Sequence, residues 1–448
     1  MFLPIPNHCL SPRLPSFRHN RESMTDPNEA EGSIPPQALA EAAPAPRFLS
    51  RTFQAFLYRD FRVMWIGAFT STTGTWMQMV AESWLVLSLT GSAFYLGLTG
   101  FLGELPLILF SLVGGVVADR VERRKMLLGS QYVQMTCAFI LTILVYFGWV
   151  RIHHLLILVF IVGTARSFGA PAYQALVPNL VNRETLANAI ALNSIQFNLA
   201  RVLGPLLAGA ALAGVGATLC FALNGVSFLA VIVSLYLIRS SFRPDPTTDS
   251  VWSGMRKGFS FVKSKGALWQ LSVLGFITTF CGIPLVTLLP VFARDVFHIG
   301  STGYSTMMAV SGAGAVSGAL LYAAFSSVNG RGYLTLRVQL LFASFLIMFA
   351  LSRSLVVSYF ILFFAGVCLM TLFASITSLV QLTTTEEMRG RVMSIFMLAF
   401  RGGMPLGNLA AGFLASQYSP ALTLMVLGVM LSLSALVFIV LGAGVKEL

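Results

Sequence analysis

The chain alternates between long apolar stretches and short polar segments. The apolar stretches run for about twenty residues or more, which is the length that crosses a bilayer core as a helix. They lack the strict alternation of apolar and polar residues that is typical of membrane barrel strands. Because lipid offers the backbone no hydrogen-bond partners, helices are the remaining solution. The pattern predicts twelve spans, at residues 61–89, 93–118, 126–149, 155–178, 187–213, 217–239, 268–293, 303–326, 333–352, 355–382, 391–416 and 420–444.

A long polar break at residues 240–267 divides the predicted spans into six and six. Its second part is amphipathic and predicts a short helix on the membrane surface, with Trp252, Phe259 and Val262 on one face. Residues 1–55 are rich in Pro, Ala, Ser and charge, which is typical of disorder. The predicted organisation is a disordered cytoplasmic tail at 1–55, an N-terminal six-helix bundle at 56–239, a cytoplasmic linker with the amphipathic helix at 240–267 and a C-terminal six-helix bundle at 268–448.

The two predicted halves resemble each other in sequence. When span 5 is shifted by 200 positions, Arg201 and Pro205 fall on Arg401 and Pro405 of span 11. The same spacing of arginine and proline in two matching helices indicates an internal repeat. Internal repeats with a binding site between them are typical of secondary transporters.

Composition and charge agree with a membrane location. Hydrophobic residues make up 56% of the chain and charged residues 10%, whereas soluble domains carry about 25% charged residues. The lysines and arginines between the spans fall mostly on one side, and Arg151, Arg294 and Arg353 are those on the other. By the positive-inside rule both termini are cytoplasmic. The sequence therefore predicts an all-α polytopic membrane protein.

The sequence contains no motif of an enzyme. It has no Ser–His–Asp or Cys–His set at membrane depth, no phosphate-binding loop and no metal-ligand spacing, so we expect no catalysis, cofactor or metal. The net charge of +12 is explained by cytoplasmic loops, so we expect no nucleic acid. The expected partners are a small-molecule substrate, protons and the lipid bilayer, and the chain is expected to be a monomer. A channel or a non-transporting scaffold is the less favoured alternative.

The segment after span 2 reads Gly115-Val-Val-Ala-Asp119-Arg120-Val-Glu-Arg123-Arg124. It resembles the loop 2–3 signature of the major facilitator superfamily, with glutamate where the family has its second glycine. The resemblance implies two pseudo-symmetric six-helix bundles and alternating access. It also implies a cytoplasmic gate in which Asp119 pairs with basic residues across the halves. The expected gate residues are Gly115, Asp119, Arg120, Arg123, Arg124, Arg389 and Arg391.

Other segments resemble one branch of that superfamily. Residues 74–93, 187–209, 289–297 and 386–394 are similar to the branch that includes the enterobactin exporter and related drug-efflux permeases. The resemblance implies a proton-coupled exporter of a small amphipathic molecule, such as a siderophore or drug, in the bacterial inner membrane. Span 5 adds Gly204, Pro205 and Gly209, which resemble the signature of drug/proton antiporters, although Ala208 replaces a frequent glycine. A proton-coupled importer of a metabolite remains an alternative.

Five charged residues fall at membrane depth, where each costs about 2.5–3.5 kcal/mol on insertion scales. The expected proton or substrate pathway comprises Gln78, Glu82, Glu104, Arg166, Arg201 and Arg401. Ser71, Thr75, Gln78 and Glu82 form one polar stripe on span 1, and Thr371, Ser375 and Ser378 form another on span 10; both are candidate cavity walls.

A carboxylic acid at depth can exchange a proton, whereas an arginine stays charged. We therefore expect Glu104 to carry the proton, with Arg166 or Arg201 close enough to favour its charged form in one conformation. Glu82 is expected to contact the substrate or a gate. A permanent Glu–Arg pair that only joins helices is the competing interpretation for Glu104. For Arg201 and Arg401 the alternative is likewise a purely structural role. The excess of buried arginines favours an anionic or catechol-bearing substrate.

Overall fold

The computed structural model describes residues 53–120, 122–238, 251–324, 330–441 and 443–446. Among these residues every regular element is helical. The helices are α1 (Arg59–Thr90), α2 (Ala93–Arg120), α3 (Arg123–Tyr146), α4 (Ile152–Leu176), α5 (Leu186–Gly214), α6 (Ala217–Leu237), α7 (Val251–Ser264), α8 (Gly266–Gly282), α9 (Pro284–Val291), α10 (Gly300–Ala324), α11 (Arg331–Leu351), α12 (Leu355–Thr383), α13 (Arg389–Gln417), α14 (Pro420–Leu441) and the short α15 (Ala443–Lys446).

Eleven helical stretches of the described residues are long and apolar enough to cross a membrane. The all-α polytopic fold predicted from the sequence is confirmed. Helix α1 is not among the eleven, although its 32 residues reach far beyond the thickness of a bilayer core. Its polar stripe, which includes Thr75, Gln78 and Glu82, lowers its mean hydropathy. The count of twelve spans therefore stays a prediction that depends on α1.

The predicted span 7 is a broken helix. Helix α8 ends at Gly282, and Pro284 begins α9. A proline in the first turn of a helix loses no helical hydrogen bond, because the N–H there has no helical partner. A π-helical turn, Phe292–Val296, then ends the span, with the Phe297 N–H bonded to the Phe292 carbonyl at 2.9 Å.

The amphipathic segment forms α7. Val262 is fully buried and Phe259 is half exposed. A Cβ on Gly258 would lie 3.0 Å from the backbone oxygen of Arg391, so α7 packs closely on the start of α13. Residues 240–250 of the predicted linker lie outside the described residues, as do residue 239 of the predicted N-terminal bundle and residues 1–52 of the predicted tail. At the end of that tail, Ala55 is buried and its N–H donates to Asn188 Oδ1 at 2.9 Å.

Two close helix crossings connect the first six long helices with the later ones. At the first, a Cβ on Gly97 of α2 would lie 2.8 Å from Gly412 Cα of α13. At the second, a Cβ on Gly312 of α10 would lie 3.0 Å from the Arg201 carbonyl oxygen of α5. Glycines thus let backbones touch across the two predicted halves, and the repeat-matched helices α5 and α13 each take part in one crossing.

The apolar core is continuous at one end of the bundle and divided at the other. At the predicted external end, one cluster joins residues of both predicted halves, such as Leu87, Leu288 and Phe292. Trp84 of α1 stacks on the buried Tyr304 of α10 in the same region, with ring centroids 6.3 Å apart. At the predicted cytoplasmic end, the described residues form two separate clusters, one from each predicted half. Among the described residues, the apolar cores of the two predicted halves are therefore joined at the external end and separate at the cytoplasmic end.

Candidate functional site

A cavity of about 330 Å³ lies between the helices of the two predicted halves. Five residues expected in the pathway line it: Gln78, Glu82, Glu104, Arg166 and Arg201. Most of the lining is apolar, and Trp76 and Met79 of α1 contribute to it. Met77, by contrast, is buried in the apolar core. The structure thus brings together residues that lie up to about 120 positions apart in the chain.

Thr75, Gln78 and Glu82 of the predicted α1 stripe line the cavity because they follow the helical period. Ser71, the fourth residue of that stripe, is buried and does not line it. Asn224 of α6 donates to Gln78 Oε1 at 2.6 Å, and Gln78 Nε2 lies 3.5 Å from Glu82 Oε2. Gly74 permits this approach, since a Cβ there would lie 2.7 Å from Asn224 Oδ1. Glu82 is therefore hydrogen-bonded to Gln78, which is itself hydrogen-bonded to Asn224. No ion pair to Glu82 occurs among the described residues.

Glu104 of α2 and Arg166 of α4 form an ion pair with 3.9 Å between Oε1 and Nη1. That distance is too long for a hydrogen bond. The Arg166 side chain is 51% exposed and the Glu104 side chain 27%, so both reach open space. The pair is loose, and its two partners sit on neighbouring helices of the same predicted half.

Arg201 is the cation of the cavity that lacks an acidic partner. Its guanidinium carbon lies 5.5 Å from the ring centroid of Trp76, a cation–π geometry. No carboxylate among the described residues forms an ion pair with it. Phe197 meets the other edge of the Trp76 ring, with centroids 5.9 Å apart. The Trp76 ring thus positions the arginine. Its N–H groups are not engaged by any carboxylate of the described residues.

Arg401 does not line the cavity, although it matches Arg201 in the repeat. It is exposed, and it lies about one helical turn from Met404, a lining residue of α13. The wall on this side is built instead by Asn408, whose Oδ1 accepts a hydrogen bond from Thr287 at 2.8 Å. The two repeat-matched arginines therefore occupy different surroundings.

The second predicted cavity wall, on span 10, is wrong. Thr371 donates to the carbonyl oxygens of Gly318 and Val367, and Ser375 is hydrogen-bonded to Thr335 of α11. These hydroxyls are satisfied by helix neighbours, and none of the three stripe residues lines the cavity.

Sequence reasoning missed the cavity amides Gln134, Asn224 and Asn408. Asn224 is the single amide of the apolar helix α6, and that isolation is the signal that was present. An isolated polar residue has no periodic partner to show which face it occupies.

The expected gate is only partly described. The side chains of Asp119 and Arg120 and the surroundings of Gly115 lie outside what the structure describes. Arg124 donates to the Tyr236 carbonyl at 3.3 Å and lies 5.8 Å from its ring centroid. Arg391 contacts Met388 Sδ at 3.9 Å, and no ion pair of Arg123 or Arg389 is seen among the described residues. The pairing of Asp119 across the halves stays a prediction.

The glycines of the span-5 motif mark close contacts. A Cβ on Gly204 would lie 2.9 Å from the Thr73 carbonyl oxygen of α1, and one on Gly209 would lie 3.0 Å from Ser305 Cβ of α10. Pro205 stands between them inside the continuous helix α5. The motif therefore packs α5 on both predicted halves. Its role in export stays a prediction.

No group of three or more potential metal-ligating side chains occurs in the described part of the chain. Cys137, Cys220, Cys281 and Cys368 are buried free thiols, and Cys137 lines the cavity. A buried thiol in apolar surroundings behaves as a small hydrophobic residue.

A polytopic helical bundle with a partly polar cavity between two sequence-related sets of helices has the architecture of a secondary transporter. Residues 50–446 match the family described as transmembrane secretion effector, and the chain belongs to this family of the major facilitator superfamily.

Curated relatives include exporters of siderophores and drugs. The staphyloferrin A transporter of Staphylococcus aureus is 24% identical over 83% of this chain and 94% of its own length. The multidrug efflux pump Tap of Mycolicibacterium fortuitum is 26% identical over 78% of this chain and 87% of its own length. The enterobactin exporter EntS of Salmonella typhi is 26% identical over 86% of this chain and 91% of its own length. The resemblance to the efflux branch is confirmed.

Solved structures show the same fold. A bacterial homologue of the iron transporter ferroportin, in an inward-facing state, aligns with a TM-score of 0.68 and 16% identity over 86% of this chain and 99% of its own. The nucleoside transporter NupG aligns with a TM-score of 0.67 and 13% identity over the same shares. At these identities the likeness concerns the fold alone.

Proposed function

We propose that this protein is a proton-coupled exporter of a small amphipathic molecule, such as a siderophore or drug, in the bacterial cytoplasmic membrane. The observation that carries the proposal is the central cavity, in which two carboxylates and two arginines face a mostly apolar space. Membrane-depth charges are costly and mark ion and substrate pathways. The exporters among the curated relatives favour the outward direction over import.

The divided core at the predicted cytoplasmic end supports an inward-facing state in an alternating-access cycle. In that state the cavity would load substrate from the cytoplasm. The packed external end, where Trp84 stacks on Tyr304, would then have to open to release it. Both termini would be cytoplasmic, in agreement with the distribution of lysine and arginine.

The geometry supports a division of labour between the two carboxylates. Glu104 faces Arg166 across 3.9 Å, a gap that a small helix movement can close or widen. A carboxylic acid can exchange a proton, whereas the arginine beside it stays charged. Glu104 is thus the proposed proton carrier. Glu82, hydrogen-bonded through Gln78, is proposed to contact the substrate.

Arg201 supports an anionic group on the substrate. Among the described residues its donors have no acidic partner, and Trp76 provides a stacking surface beside them. A carboxylate or catecholate could receive charge-assisted hydrogen bonds there, while Met79 and Met308 adapt to an apolar body.

The direct test compares accumulation in a deletion strain and in the same strain carrying the gene. Radiolabelled erythromycin, ethidium, a catecholate siderophore and a citrate-type siderophore are the compounds. We expect at least one to accumulate in the deletion strain and to be exported on complementation. In everted vesicles that compound should be taken up when the lumen is acidified. Uptake that instead needs an acid outer medium would identify an importer.

A further inference from the structure

Arg294, at the external end of the broken span 7, contacts the opposite half of the molecule. Its Nη1 donates to the Leu87 carbonyl at 3.2 Å, and its Nη2 donates to the Gly91 carbonyl at 3.2 Å. Leu87 lies in the last turn of α1, and Gly91 is the capping residue that follows α1. One guanidinium thus joins the external end of the first span of one predicted half to the external end of the first span of the other.

The two carbonyls are a suitable target for a cation. The last carbonyls of a helix lack helical partners, and the helix dipole makes this end negative. Gly91 adopts a left-handed conformation with φ 62°, and its own N–H also bonds to the Leu87 carbonyl, at 2.8 Å. This turn exposes the Gly91 carbonyl, which is free to receive the guanidinium.

The arginine is held in place from its own side. Asp295 receives Nε and Nη2 in a two-point pair, with 3.0 Å between Nη2 and Oδ2. Both residues belong to the π-helical turn, and the ring of His298 contacts the Arg294 carbonyl at 3.0 Å. The side chain is 34% exposed. Arg294 and Asp295 can therefore move together, and of the described hydrogen bonds of the Arg294 side chain the two to α1 would break when the halves part.

We propose that Arg294 is the external gate residue of this transporter. It closes the outer end by capping the C-terminus of α1, and release of that cap permits outward opening. Asp295 is a positioning residue that keeps the guanidinium oriented in both states. The proposal rests on the alternating-access function proposed above, but it concerns a conformational equilibrium that is measurable without any substrate.

The test uses the full-length protein in lipid nanodiscs, with Cys9→Ser to remove the cysteine of the tail. Spin labels at the exposed positions His153→Cys and Tyr418→Cys report the separation at the external end. Labels at the exposed positions Arg183→Cys and Glu387→Cys report the other end. We expect Arg294→Ala to raise the outward-open population, measured by double electron–electron resonance, by on the order of tenfold, the scale of a hydrogen bond to a charged group.

Matched variants separate a gate from a general loss of structure. Arg353→Ala removes another exposed external arginine, for which no contact is described, and should leave both distance distributions unchanged. Arg294→Lys keeps the charge but loses the two guanidinium nitrogens that reach both carbonyls, so it should raise the outward-open population less than Arg294→Ala does. Asp295→Asn should fall between Arg294→Lys and Arg294→Ala. Monodisperse elution reports folding.

Unchanged external distances in folded Arg294→Ala and Arg294→Lys would overturn the gate. So would an equal shift in Arg353→Ala. A shift in distances without any exported compound would leave the gate standing and count against the proposed function alone.

Discussion

Glu104 and Arg166 are close enough to interact and too far apart to form a hydrogen bond, which leaves their interaction adjustable. A tight buried pair would cost several kcal/mol to break. This pair is half open to the cavity, so its contribution to stability is that of an exposed pair, about 0–1 kcal/mol. Loss of either partner should therefore affect transport much more than folding.

Glu104→Gln should abolish transport driven by a pH gradient, because an amide cannot exchange the coupling proton. Substrate binding and thermal stability should be retained. Uptake into everted vesicles under an imposed pH gradient measures the effect. Glu122→Gln, which removes a loop carboxylate paired with Lys125, is the matched control and should transport normally. Proton-coupled uptake by Glu104→Gln at the unmodified rate would rule out Glu104 as carrier.

Arg201→Gln should weaken binding of an anionic substrate about tenfold, the scale of one charge-assisted hydrogen bond. A cationic compound such as ethidium should lose nothing. Arg401→Gln removes the repeat-matched arginine that lies outside the cavity wall, so it controls for loss of charge. The ratio of KM values for anionic and cationic compounds is the measurement. An equal effect of both variants would show that the cavity position of Arg201 is irrelevant.

At the scale of the helices, the sequence predicted what depends on long apolar runs and missed what depends on single residues. The predicted spans agree with the observed helices because some twenty apolar residues must lie within the bilayer core, which leaves each helix little freedom of position. The hydropathy pattern did not predict the helix break at Gly282 and Pro284, because hydropathy is averaged over many residues. Thr75, Gln78 and Glu82 of the span-1 stripe line the cavity as predicted. Ser71 does not line it, and Thr371 and Ser375 face other helices. Periodicity shows that a polar face exists but not what it faces.

Gly97→Ala should destabilise the protein by about 1–3 kcal/mol, because the added methyl group would meet the α13 backbone at Asn408 and Gly412. Gly129→Ala is the matched control in α3, where nothing lies within 4 Å of the new Cβ. That change should be neutral or stabilising by up to about 1 kcal/mol. Thermal unfolding in detergent gives both values. A tolerated Gly97→Ala would mean that the α2–α13 crossing is looser than the structure shows.

At the scale of the whole molecule, the described core is joined at one end and divided at the other. Apolar surface that is unpacked between the halves at the divided end must be covered when that end closes. In each cycle, apolar surface would thus become packed at one end as it is separated at the other. The α2–α13 and α5–α10 crossings are the contacts expected to remain near the centre.

The orientation of the molecule can be tested by labelling. Maleimide should modify His153→Cys in intact spheroplasts and Arg183→Cys only after permeabilisation, if both termini are cytoplasmic. Both positions are exposed, and the four cysteines of the described helices are buried. A Cys9→Ser background without either added cysteine is the control and should remain unlabelled. The reverse pattern would invert the orientation.

Helix α1 has a consequence for how the chain is made. Its polar stripe leaves it outside the stretches that qualify as membrane spans on their own, whereas α2 qualifies. A turn of only two residues, Gly91 and Ser92, connects them. The newly synthesised α1 would thus be poorly retained in the bilayer until α2 leaves the ribosome. The first two helices are expected to enter the membrane together as a hairpin, with the stripe shielded by later helices. The residues that serve the cavity would thereby delay the first step of biogenesis.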